Sequence, residues 1–251
     1  MKNNISQGAQ VYANIIAKKT LLITVLIVGV LVSVVVNIFL GSSGMTAAQT
    51  LDALLWRSDS INNLIVWDIR MPVALAAVFV GAALGMAGCE MQTILRNPMA
   101  SAYTLGLSSA ASFGASLAIV LNVSIFSIAS NYIIVANSML FTILAALTII
   151  TFSKRFGSDR SVLILFGIAL NFMFGAFTTI LQYIANESDL QSLVFWAFGN
   201  LTKIGWEKLI IIVIVTAIGF YLLVRKVWAL TAMSLSDINA QSLGIDVGKL
   251  R

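Results

Sequence analysis

The chain contains no histidine and a single cysteine, Cys89. One cysteine cannot form a disulfide within the chain, and the usual zinc and haem ligand sets are missing. Most catalytic sites use histidine or clustered carboxylates, and the sequence offers neither. It also lacks the G-x-x-x-x-G-K-S/T loop that holds nucleotide phosphates, so ATP hydrolysis is not expected on this chain. We therefore predict no enzymatic activity, no metal site and no cofactor.

Charged residues are also scarce. They make up 10% of the 251 residues, whereas soluble domains carry roughly 25%. Hydrophobic residues make up 59%, and the mean hydropathy is +0.98. These values predict an integral membrane protein. The net charge of +5 then reflects cytoplasmic lysines and arginines, and no nucleic-acid partner is expected.

The uncharged segments are long enough to cross a bilayer, which takes about 20 apolar residues. The 57 residues between Arg96 and Lys154 carry no charge, which suits two crossings separated by a loop at 122–131. A secreted leader is disfavoured because the first apolar segment is too long and more spans follow. We predict an all-α polytopic membrane bundle with six spanning helices, over 21–40, 70–92, 102–121, 132–153, 161–185 and 206–227. A short surface helix is expected over 47–56.

The distribution of basic residues predicts the orientation of the spans. Eleven of the fifteen lysines and arginines fall on one side of this layout, and the cytoplasmic side of a membrane protein is enriched in such residues. The N-terminus and residue 251 are therefore expected in the cytoplasm, together with the polar segment 228–251. The basic residues left on the outer side are Arg57, Arg70, Lys203 and Lys208.

Arg70 and Pro72 open the second predicted span, where proline suits the first helical turn. Arg70 is expected either to anchor the helix at the membrane interface or to face outward as a cation that docks an external acidic partner. Glu90, at the other end of this helix, is expected to pair with Arg96 or Lys154 or to reach the headgroups.

Several polar residues of the spans are candidates for a translocation pathway. A polar side chain in a span either bonds to a neighbouring helix or faces an aqueous path, and a helix with bulky, small and polar faces fits a pore lining or a subunit contact. Ordinary lipid-facing phenylalanine is the alternative for the fifth span. The candidates are Gln92, Asn97, Asn171, Phe174 and Gln182.

The C-terminal segment carries the signals of a short capped helix over 237–243. Ser236 is suited to cap its start and Gly244 to close its end. Ile238 and Leu243 lie toward one side of this helix, which would present a small protruding surface to a soluble partner. The alternative is a helix lying on the inner leaflet, for which it has few basic residues.

Five blocks of the sequence resemble the FecCD-type permeases, the membrane subunits of type II ABC importers for iron–siderophores, haem and vitamin B12. The resemblance is collinear from about Leu21 to the end of the chain. The blocks are Arg70-Met-Pro72 with Gly81-Ala-Ala-Leu-Gly85, Arg96-Asn-Pro-Met-Ala100 with Leu105-Gly-Leu-Ser-Ser109, Leu163-Ile-Leu-Phe-Gly167, Phe195-Trp-Ala-Phe-Gly199, and Ala240-Gln-Ser-Leu-Gly244.

The resemblance implies an importer with several partners. These are a second permease subunit, identical or paralogous, two cytoplasmic ATPase subunits, an extracytoplasmic substrate-binding protein and the lipid bilayer. It also implies that Arg70 docks the binding protein and that the fifth span borders the path. The residues implied to couple the permease to the ATPase are Ser236, Asp237, Ala240, Leu243 and Gly244.

The sequence departs from the family pattern at three points and in its length. Val73 replaces a second arginine, Ser101-Ala102 replaces Asp-Pro, and Leu235-Ser236 replaces Leu-Gly. Members of the family have about ten spans, so the chain is expected to be one permease domain over 1–251 that lacks the C-terminal helices. Either it is a truncated or split form, or it does not transport by itself.

The cargo is expected to be an iron(III)–siderophore complex, with vitamin B12 or haem as alternatives. A secondary transporter or channel without an ATPase is the rival class, although it would require ionisable residues at mid-membrane depth, which are scarce here.

Overall fold

The computed structural model describes residues 2–41, 43–122, 132–156 and 159–250, and every regular element in these ranges is helical. The elements are α1 (Lys2–Phe39), α2 (Ala47–Leu54), α3 (Ser60–Leu64), a π-helical segment (Ile65–Arg70), α4 (Met71–Leu95), α5 (Leu107–Val120), α6 (Ile133–Phe156), α7 (Arg160–Ile184), α8 (Glu187–Phe198), α9 (Trp206–Leu235), α10 (Asp237–Ser242) and α11 (Val247–Leu250).

Five of these helices are long and apolar enough to cross a membrane, and α5 is a shorter apolar helix. The long ones are Gln10–Phe39, Ser60–Leu95, Ile133–Phe156, Arg160–Ile184 and Trp206–Ser234. The predicted all-α membrane bundle is therefore confirmed, and each of the six predicted segments corresponds to one of these helices. The predicted loop at 122–131 lies, apart from Asn122, outside the described residues.

The second span begins earlier than its sequence predicted. Residues from Ser60 to Leu95 form one continuous helix, so Pro72 lies well inside it rather than in its first turn. Proline has no N–H to donate and its ring crowds the preceding turn. The π-helical segment just before Pro72 loosens this turn, and the N–H of Met71 donates to the carbonyl of Val66, five residues back. With this π-turn the helix continues past Pro72, although proline has no N–H to donate.

Two other helix ends differ from the predicted ones. Helix α5 begins at Leu107 rather than 102, because Gly106 adopts φ +77° and ends the preceding turn. Helix α9 continues to Leu235, eight residues beyond the predicted end at 227. No proline or glycine interrupts 228–235, so nothing in the local sequence stops the helix there.

One packing unit comprises residues 1–81 and 201–215. Its core contains Ile38, Ala53, Val66 and Ala74, contributed by α1, α2, the π-helical segment and α4. The indole N–H of Trp67 donates to the carbonyl of Ala53 at 3.2 Å, and that of Trp206 donates to the carbonyl of Trp67 at 3.0 Å. These bonds connect α2 and the start of α9 to the π-helical segment.

The other unit, residues 82–200 and 216–251, contains α5 between α6 and α7. Small buried residues of α5 let its backbone approach these neighbours closely. A Cβ atom added at Gly114 would lie 2.5 Å from the carbonyl oxygen of Asn137 on α6. One added at Gly167 would lie 2.8 Å from the Cα of Leu105.

The close approach at Gly114 predicts a loss of stability on adding one methyl group. Gly114→Ala is expected to lower the free energy of unfolding by about 1–3 kcal/mol because the helices must separate. Gly175→Ala on α7 is the matched control, since a Cβ there meets nothing within 4 Å. Thermal unfolding of the two variants in the same detergent measures the difference. Equal melting temperatures would contradict this packing.

Candidate functional site

Arg70 lies at the end of the π-helical segment, and its side chain is turned into the protein with 8% of its surface exposed. Its Nη1 donates to the carbonyl oxygen of Ile38 at 2.7 Å and, at 3.4 Å, to that of Phe39. Its Nη2 donates to the hydroxyl of Ser43. The guanidinium also lies against Gly41, where a Cβ would come within 2.6 Å of it.

In the single chain Arg70 therefore faces inward, and its role in docking a binding protein stays a prediction. The last carbonyl groups of a helix have no partner within the helix, and Arg70 supplies donors to those at the end of α1. A cation at a helix C-terminus also interacts favourably with the helix dipole. The side chain acts as a structural cap, and its contacts are internal.

Helix α10 has the ends that its sequence predicted. The hydroxyl of Ser236 accepts a hydrogen bond from the N–H of Asn239 at 2.8 Å, which caps the start of the helix. Gly244 adopts φ +77° just past the end, and its N–H donates to the carbonyl of Gln241 at 2.9 Å. The left-handed conformation explains the preference for glycine there.

The two faces of α10 differ in what they contact. Ala240 is fully buried and packs in a small core with Ala232 and Met233 of α9. Ile238 and Leu243 are 75% and 59% exposed. One side of α10 is thus fixed to the end of α9, and the other presents bare apolar surface, as its sequence predicted.

Two arginines from distant parts of the chain reach the junction of α9 and α10. Arg96 donates from Nε and Nη2 to the carbonyl oxygen of Met233, at 2.9 and 2.7 Å. Arg160, the first residue of α7, forms an ion pair with Asp237. Sequence reasoning placed both arginines on the cytoplasmic side but assigned neither of them to this junction.

Glu90 lines a cavity of about 520 Å³ rather than pairing with Arg96. The other lining residues come from the last turns of α4, from α9 and from the segment after α10: Ile94, Lys226, Ala229, Leu230, Ile245 and Asp246. Arg96, one expected partner of Glu90, is instead occupied by the carbonyl of Met233.

The predicted pathway residues fall into two groups. Gln92 on α4 and Gln182 on α7 are exposed. Phe174 is 8% exposed in the single chain and packs in a core with Ala110, Ala145 and Leu170, and its role in a pathway stays a prediction. Bulky residues on α7 meet the small residues of α5, which draws Phe174 inward.

The two predicted pathway asparagines make local contacts. The hydroxyl of Ser109 donates to Oδ1 of Asn171, linking α5 to α7. Oδ1 of Asn97 accepts the N–H of Met99 at 2.9 Å, which closes the turn after α4. Both side chains are half-buried, and each holds a helix junction together.

Comparison with known proteins gives a consistent result. Residues 25–251 match the model of the FecCD transport family. The hemin transport system permease protein HmuU of Yersinia pestis is 32% identical over 234 residues, covering 90% of this chain and 69% of that protein. The molybdate import system permease protein MolB of Haemophilus influenzae is 30% identical over 229 residues, covering 88% and 66%.

A solved structure resembles the fold as well. It is described as an inward-facing conformation of a metal-chelate type ABC transporter, and it superimposes with a TM-score of 0.73 at 28% identity, covering 88% of this chain and 67% of that one. The chain spans about two thirds of the length of these proteins.

The capping role of Arg70 predicts an effect on stability in the absence of any partner. Arg70→Ala leaves the carbonyls of Ile38 and Phe39 without these donors and is expected to cost about 1.5–3 kcal/mol, the usual range for hydrogen bonds to a charged group. Arg57→Ala is the control, because Arg57 is exposed and surface changes are typically within about 0.5 kcal/mol. Unfolding of the purified chain measures both, and equal stabilities would contradict the cap.

Proposed function

The chain belongs to the FecCD transport family, as its sequence blocks predicted, and we propose that it passes an iron(III)–siderophore complex across the cytoplasmic membrane. In this proposal it is a permease subunit of an ABC importer, and ATP is hydrolysed on a partner ATPase. Support for a metal-chelate cargo comes from the hemin permease of Yersinia pestis and from the metal-chelate type transporter. The molybdate permease makes an oxyanion the second candidate.

The observation that carries the coupling part of the proposal is the geometry of α10. Helix α10 is six residues long, and Ile238 in its first turn is 75% exposed. A short helix with an exposed apolar side chain can insert into a cleft of a soluble subunit. Ala240, on the opposite side, is fully buried against α9, so force applied to the exposed side would reach the long helix. The residues proposed to couple are Ser236, Asp237, Ala240, Leu243 and Gly244.

The proposed orientation has α10 and both termini in the cytoplasm. The excess of lysine and arginine on that side supports it, and an ATPase partner requires it. A substrate-binding protein would then dock on the side that carries α2 and the start of α4. Docking through Arg70 stays a prediction, because its side chain is internal in the single chain.

The pathway is proposed to run between two permease subunits, identical or paralogous, along the exposed polar residues Gln92 and Gln182. These two amides are exposed on spanning helices, where a polar group faces either protein or water. Transport would proceed by alternating access, in which nucleotide-driven closure of the ATPases moves α10 and, with it, the spans.

The apolar face of α10 predicts which changes break the ATPase contact. Ile238→Glu is expected to weaken co-purification of the ATPase with this subunit at least about tenfold, since it places a charge in an apolar contact. Gln241→Glu is the matched control, because Gln241 is an exposed residue of α10 and the change adds the same charge without removing apolar surface. Undiminished co-purification in Ile238→Glu would remove the coupling assignment.

The cargo is tested by competition in the assembled importer. Uptake of radiolabelled iron as a ferric siderophore into vesicles containing the complete complex is expected to require ATP. An excess of a second ferric siderophore should inhibit it, whereas molybdate and cobalamin should not. Inhibition by molybdate alone would move the assignment to the oxyanion.

A further inference from the structure

The corner between α9 and α10 is held from two sides by arginines that come from other helices. Resting on the proposed function, we propose that Arg96 and Arg160 are positioning residues that make α10 move as one body with the adjoining ends of α4 and α7. They would carry a displacement of α10 into the spanning helices. Neither arginine belongs to the surface that α10 presents to an ATPase.

The contact with α7 is an ion pair between Arg160 and Asp237. Asp237 is the first residue of α10, and Arg160 is the first residue of α7. The two side chains are 25% and 32% exposed, Arg160 first, so the pair is partly shielded from solvent. A pair with this exposure contributes little to overall stability, but it fixes the beginning of one helix to the beginning of the other.

The end of α4 is connected to α9 by two hydrogen bonds from Arg96. Arg96 follows directly after α4 and adopts φ +46°, an unfavourable conformation for a non-glycine residue. In this conformation, Nε and Nη2 of Arg96 both donate to the carbonyl oxygen of Met233. Met233 lies in the last turn of α9, where carbonyls lack partners within the helix.

The alternative is a hinge at Ser236, which is the extended residue between the two helices, with φ −165° and ψ 156°. With only this residue as connection, α10 could turn on α9 without moving α4 or α7. Packing of Ala240 against Met233 restrains α10 on α9, and the ion pair of Asp237 with Arg160 restrains it on α7. Arg96 then connects α9, and with it α10, to the end of α4. These three contacts favour one rigid body over a hinge.

The structure also provides the onward contacts of α7. A Cβ at Gly106, which precedes α5, would lie 2.8 Å from the backbone nitrogen of Asn171 on α7. The hydroxyl of Ser109 on α5 bonds to the side chain of Asn171. Helices in such close contact shift together rather than slide freely. A push on α10 through Arg160 would therefore reach α5 as well.

Charge exchange tests the contact with α7 in the complete importer, isolated with its ATPase and reconstituted in liposomes. Arg160→Asp is expected to lower the cargo transported per ATP hydrolysed at least about fivefold, the lower end of coupling between sites, while the ATPase remains bound. The double variant Arg160→Asp with Asp237→Arg should recover most of that ratio. Arg155→Asp is the matched control, since Arg155 is exposed in the last turn of α6.

A reducible cross-link distinguishes the rigid body from the hinge. Arg160→Cys and Asp237→Cys in a Cys89→Ser background, joined by a reducible bifunctional thiol reagent that replaces the length of the arginine side chain, should support transport, because the two helix ends do not separate during the cycle. For the contact with α4, Arg96→Met removes the donors and should lower the same ratio, whereas Arg96→Lys keeps one charge and should lower it less.

An unchanged ratio in Arg160→Asp, or transport that stops on cross-linking and returns on reduction, would overturn the proposal. Loss of ATPase binding in Arg160→Asp would also overturn it, because Arg160 would then belong to the docking surface. Failure of the proposed function is seen separately, in the binding of the ATPase by Ile238→Glu, which does not involve either arginine.

Discussion

The carbonyl groups at the end of a helix have no hydrogen-bond donor within that helix, and in a membrane protein few waters are available to replace one. In this chain arginine side chains meet this requirement at two places. Arg70 donates to the carbonyls that end α1, and Arg96 donates to the carbonyl of Met233 near the end of α9. Each arginine follows or precedes α4 and reaches a helix far away in sequence, so the same contact satisfies the backbone and fixes how the helices meet.

Close packing of helices is the second requirement, because apolar burial adds little between helices already surrounded by lipid. Gly106, Gly114 and Gly167 lie where neighbouring backbone leaves no room for a Cβ. The glycines of α4, at 81, 85 and 88, have no such neighbour among the described residues. Glycine spacing alone therefore does not distinguish a helix contact from an open face: the three spaced glycines of α4 have no close neighbour in the described ranges, whereas the single glycine of α5 has one.

The sequence predicted what depends on local composition. The spanning segments follow from runs of uncharged residues. The N-terminal cap of α10 at Ser236 and the end of that helix before Gly244 follow from the chemistry of single residues. The environments of Arg70 and Phe174 were not predictable in this way. The partners of Arg70 are backbone carbonyls more than thirty residues away, and Phe174 is buried because α5 has small residues facing it.

The size of α10 explains why these distant contacts matter for a transport role. A helix of six residues is far shorter than the roughly 12–15 needed for marginal stability alone in water, so α10 depends on its surroundings for its shape. Its cap at Ser236, the burial of Ala240 and the ion pair of Asp237 each fix a different part of it. A flexible loop at this position would change shape when a partner moved it. A short helix held by three contacts would pass the displacement on to the helices it contacts. In the proposed function, energy from a partner ATPase would reach the spans to the degree that the contacts behind α10 stay intact.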